Sequence, residues 1–72
     1  MKGAEKLVYM ANQITAFFRT QPHDDAVVGI AEHLKKFWNP VMLRDMDAHI
    51  AKGGEGLDPL ALEAFQKLRK AA

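Results

Sequence analysis

The 72-residue sequence has no cysteine and no serine, only three prolines, one tryptophan and one tyrosine. Without cysteine it has no disulfide framework and no thiolate metal site. Without serine or cysteine, Thr15 and Thr20 are the remaining side-chain alcohols, and neither shares an expected helix with a histidine that could serve as its base. A dominant charge is missing too: Lys+Arg number 10 and Asp+Glu 9, a formal net charge of +1. Dedicated nucleic-acid binders carry a basic excess on one face, so the composition argues against such a partner. No apolar run approaches the ~20 residues that span a bilayer, so no membrane segment is expected. The start of the chain shows no cationic stretch followed by a long apolar run, so no signal peptide is expected and a cytoplasmic location is the simplest reading.

What the sequence does have is apolar residues, 49% of the total, arranged at helical spacing. The expected architecture is all-α: one domain, residues 1–72, a small bundle of four short helices over about 4–19, 24–38, 40–51 and 59–70. Met1 to Gly3 read as frayed. A chain near 60 residues buries only about 60% of its unfolded surface. With no disulfide or evident metal, this one is expected to lean on a partner or on a second copy of itself.

The organising stretch is His33 to Met42. Phe37 and Trp38 continue an apolar helical face, and Asn39-Pro40 stops it, because the residue before proline is pushed out of the α region. The same pair starts the next helix, with Asn39 as N-cap and Pro40 in the first turn. Trp38 is then placed to staple onto Leu43. Asp58-Pro59 repeats the signal before helix four, and Leu57 is placed to staple onto Leu62.

Each helix has a readable stripe. Leu7, Met10, Ala11, Ile14, Phe17 and Phe18 form the buried face of helix one. Its back, Tyr9, Asn12, Gln13 and Ala16, is uncharged, and no residue from Leu7 to Phe18 carries a charge. Such a helix is usually covered on both sides, which marks this back as a candidate partner surface. Val27, Ile30, Ala31, Leu34, Phe37 and Trp38 are expected to be buried from helix two, with Asp24 and Asp25 at its positive end and Lys35 and Lys36 at its negative end. Gly29 and His33 sit one turn apart at the stripe's edge. The glycine either lets another backbone come close or is simply tolerated. Met42, Leu43, Met46 and Ile50 line helix three. Lys52-Gly53-Gly54 ends it with a glycine cap. Leu60, Ala61, Ala64, Phe65 and Leu68 line helix four, where Glu63 and Lys67 have the spacing of an ion pair.

Chemistry-bearing groups are sparse. Asp24-Asp25 and Asp45/Asp47 read as caps or wet helix faces rather than acid–base pairs. His33 and His49, with Asp45 placed to orient the latter, lack a third metal ligand. The glycines at 53, 54 and 56 lack the strand, helix and lysine of a phosphate loop. A helix-turn-helix reading fails on Arg44, which stands beside Asp45 and near Asp47.

Three segments together carry a family likeness: Met10-Ala11-Asn12-Gln13-Ile14 with Phe17-Phe18; His33 with Lys36-Phe37-Trp38-Asn39-Pro40 and Met42; and Gly53 to Leu60 leading into Ala64. In this order and spacing the chain resembles the small delta subunit of NAD-dependent, molybdenum-containing formate dehydrogenase. The resemblance implies an accessory, non-catalytic subunit of a cytoplasmic complex that oxidises formate and reduces NAD. It implies docking on the alpha subunit and a role in assembly, stability or cofactor insertion. Molybdopterin cofactor, iron–sulfur clusters, FMN and the NAD site would belong to other subunits and none to this chain. The residues expected at the partner interface are Tyr9, Asn12, Gln13, Ala16, Gly29, His33, Trp38, Pro40 and Met42. Val41 stands where the family commonly has arginine, so that arginine's contact is either missing or taken over by Arg44. The alternative from residues alone is a self-associating helical interaction module unrelated to formate.

Overall fold

A computed structural model describes residues 3–71. Met1 and Lys2, expected to fray, lie outside the described residues. Gly3, expected to fray, opens helix α1 (Gly3–Phe18), followed by α2 (His23–Phe37), α3 (Pro40–Ala51) and α4 (Pro59–Ala71). No strand occurs among the described residues.

The helix ends follow from local chemistry. Asn39 is extended, and its side chain accepts from the Met42 N–H at 2.9 Å, with Pro40 in the first turn of α3. Asp58 caps α4 in the same way, accepting from Leu60 N–H at 2.9 Å. The start of α2 has Pro22 instead and no side-chain cap, so Asp24 and Asp25 in its first turn carry the electrostatic part of that end. Trp38 falls just outside α2 in extended conformation and still donates its N–H to Leu34 O at 2.9 Å.

α1 packs on all three other helices, and α2 has its broadest contact with α4. Leu7 and Ala11 of α1 meet Ile30, Leu34 and their neighbours of α2, Met46 of α3, and Ala61, Ala64 and Phe65 of α4 in one core. The Trp38 ring closes that core, 5.4 Å from Phe65 at 59°. A tilted aromatic pair of this kind adds about 0.5–1.5 kcal/mol to its area burial. The radius of gyration is 11.0 Å, the ~11 Å expected of a folded chain of this length. The chain is therefore as compact as a folded domain of its size.

Two residues of the expected stripes do not enter it. Phe17 is 75% exposed and Phe37 67% exposed. Each loses its place to its sequence neighbour, Phe18 and Trp38, which point inward from the next position. Two small residues missing from those stripes are fully buried, Ala26 and Thr15. Thr15 tolerates burial because its hydroxyl donates to Ala11 O at 2.9 Å, one turn back.

Candidate functional site

The first feature is a glycine-rich loop held down from several sides. After α3, Gly53 N–H donates to Ile50 O at 2.9 Å and Gly54 N–H to His49 O at 3.0 Å, the paired bonds of a Schellman cap. Gly53 has φ +120° and Gly54 φ +63°. A second turn follows, closed by Leu57 N–H to Gly54 O at 3.0 Å, with Gly56 at φ +83° in the third position, where a side chain is disfavoured. Asn12 of α1 then grips the loop with both ends of its amide. Its Nδ2 donates to Gly56 O and its Oδ1 accepts from Asp58 N–H, each at 2.9 Å. His49 Nε2 lies 2.8 Å from Glu55 O. The Asp58 carboxylate, besides capping α4, pairs with Arg19 at the end of α1. Asn12 was expected on a free back face. Its amide is instead spent within the chain. His49, expected beside Asp45, reaches the loop instead.

The loop's N–H groups at Gly53, Gly54, Leu57 and Asp58 are all used internally. An anion would have to compete for these four N–H groups.

The second feature is an aromatic edge. A Cβ placed on Gly29 would lie 2.6 Å from Cε1 and 2.7 Å from Cδ1 of Phe18. Gly29 is thus a seat for a phenyl ring, not for another backbone. With Phe18 seated, Phe17 turns outward and meets it edge-on, ring centroids 5.1 Å apart at 88°. One and two turns beyond Gly29 on the same edge of α2 come His33 and Phe37, whose rings lie 4.7 Å apart. Eight helical residues advance about 12 Å, so Gly29, His33 and Phe37 run along one edge of α2, with Phe17 beside the Phe18 ring seated at its Gly29 end.

The remaining expected interface residues are scattered relative to this edge. Tyr9 is 64% exposed. Its hydroxyl accepts from Gln13 Nε2, and Ala16 is exposed beyond them. Pro40 is exposed and Met42 half-buried at the start of α3. Trp38 is buried in the core, so its ring serves packing. Val41 is exposed.

A third cluster was not anticipated. His23, at the start of α2, has Nδ1 2.9 Å from Asp24 and Nε2 2.9 and 3.0 Å from the two carboxylate oxygens of Glu63 on α4. The Glu63 hydrogen bond first, and Asp24 second, raise the His23 pKa above the ordinary 6.5. Glu63 therefore serves His23 rather than Lys67. No local pattern could show this, since the partners are 40 positions apart. Among the described residues, no group of three or more His, Cys, Asp or Glu is arranged to hold a metal ion. Among the described residues, no helix is long and apolar enough to cross a membrane.

Fold and clamp together define a class: a small all-α protein that ties its glycine loop to its first helix and leaves aromatic rings on the surface. The chain belongs to the family of the NADH-dependent formate dehydrogenase delta subunit, FdsD, whose family model matches residues 6–65. The matched span takes in Asn12, the whole clamped loop, Gly29 and the aromatic edge. By family the chain is a subunit of an enzyme complex and not itself catalytic. No curated protein and no solved structure matches it significantly.

Proposed function

We propose that this chain is a non-catalytic accessory subunit of a cytoplasmic NAD-dependent formate dehydrogenase complex, a single helical unit that docks on the molybdenum-bearing alpha subunit and supports its assembly, stability or cofactor insertion. The observation that carries the reading is the pair of exposed rings Phe17 and Phe37, the latter stacked on half-buried His33, on a chain whose family is a subunit. Exposed aromatic rings on a well-closed core are the usual anchors of a protein interface. The Tyr9, Gln13 and Ala16 face, uncharged and exposed, is the second contact region.

The cofactors of such a complex, molybdopterin, iron–sulfur clusters, FMN and NAD, are assigned to its other subunits. This chain has no thiolate for a cluster, and four N–H groups of its glycine loop are taken by its own hydrogen bonds. Co-purification with the alpha subunit tests the docking. Phe17→Glu with Phe37→Glu is expected to reduce complex yield at least tenfold, and Tyr9→Glu to reduce it less. Unchanged yield in both variants contradicts the docking surface. Stoichiometry in the active enzyme separates a resident subunit, near one per alpha chain, from a transient assembly factor, near zero.

A further inference from the structure

We propose that His23 is a proton-operated latch between the start of α2 and α4. Both ring nitrogens face carboxylates: Nδ1 faces Asp24 at 2.9 Å, and Nε2 faces Glu63 at 2.9 and 3.0 Å. Ionised carboxylates only accept. The imidazolium has two N–H donors and satisfies both neighbours. Neutral imidazole has one, so a lone pair then faces a carboxylate oxygen and one of the two contacts must open.

The surroundings decide which contact matters. The Asp24 side chain is 97% exposed and free to swing into water, whereas Glu63 is half covered and sits on a helix packed against α2. Along the same groove α4 also presents Lys67 and Lys70. From the end of α1 comes Arg19, whose charge is taken up by Asp58. The corner between α1 and α2 is therefore tied to the α4 region at two points, Arg19–Asp58 and His23–Glu63. Only the second changes with pH near neutrality. Protonated, the latch is a charge-assisted link on both sides; deprotonated, it is at most one neutral hydrogen bond.

The sign follows from linkage. His23 has a raised pKa in the folded chain, so its stabilising contribution is fully present below about 6.5, the value for an unperturbed histidine. It is lost as the pH rises through the higher, folded value. The test is an NMR titration of the His23 ring in the full chain, run on the wild type, Glu63→Gln and Asp24→Asn. Thermal unfolding of the wild type and His23→Gln is measured over the same pH range. The expected midpoint lies above 6.5, falls more with Glu63→Gln than with Asp24→Asn, and marks the pH through which the Tm advantage over His23→Gln disappears. A midpoint at or below 6.5, or one that Glu63→Gln leaves in place, overturns the latch. So does a Tm difference that is flat across the range.

Discussion

The backbone N–H of Asp58 donates to Asn12 Oδ1 at 2.9 Å across 46 positions of sequence, and the same amide donates its own N–H to Gly56. One side chain of α1 thereby sets the path of the chain into α4. Asn12→Ala leaves a half-buried N–H and a loop carbonyl without their partner, at an expected cost of about 1–3 kcal/mol. Asn12→Asp keeps the acceptor but sets a carboxylate against the Gly56 carbonyl, so it is expected to recover only part of that loss. Urea unfolding at constant m-value checks both.

The seat at Gly29 gives a prediction with a change of sign. Gly→Ala inside a helix normally stabilises by about 1 kcal/mol. Here the new methyl would meet the Phe18 ring at 2.6 Å, and forced overpacking costs about 1–3 kcal/mol. Gly29→Ala is expected to destabilise the wild type and to stabilise a Phe18→Ala background. A double-mutant cycle by thermal or urea unfolding measures the coupling.

At Gly53 the constraint is backbone alone. A Cβ there would meet nothing within 4 Å, yet φ is +120°. Gly53→Ala is expected to cost about 1–3 kcal/mol from strain. The mirror-image residue, D-alanine introduced by chemical synthesis, relieves that strain and stiffens the unfolded chain, so stability is expected to match or exceed wild type. Equal losses for both would point to a lost contact rather than to backbone strain.

The aromatic rim separates stability from assembly. Phe17 and Phe37 are mostly solvent-exposed, so Phe37→Glu is expected to shift the stability of the free chain by no more than about 0.5 kcal/mol. Phe65→Ala, in the core, is expected to cost about 3–5 kcal/mol. Circular dichroism melts of the isolated variants distinguish the two.

The helix starts were legible in the sequence because capping is local chemistry. Asn39-Pro40 and Asp58-Pro59 contain both the acceptor and the fixed φ that begin α3 and α4. The core stripes of α2 and α4 were legible from their period, down to Ile30, Leu34, Ala61 and Phe65. The period could not choose between adjacent aromatics. Phe17 and Phe18 both fall near one face, and only the bare surface at Gly29, on another helix, selects Phe18. Likewise Trp38 takes the core position because α2 ends before it, and Phe37 is left outside. The clamp, the Arg19–Asp58 pair and the His23–Glu63 latch join residues tens of positions apart. No residue in those pairs announces its partner; Asn12 looked like part of a neutral surface because its amide carries no charge.

We propose that this chain binds a larger subunit through its exposed Phe17 and Phe37 rings. The most direct measurement is the amount of chain recovered per alpha subunit when an affinity-tagged alpha subunit is purified, comparing wild type with the Phe17→Glu, Phe37→Glu double variant. Near-equimolar recovery for the wild type and at least a tenfold loss for the folded double variant is the predicted result. Equal recovery of both, or none of either from an active enzyme, contradicts it.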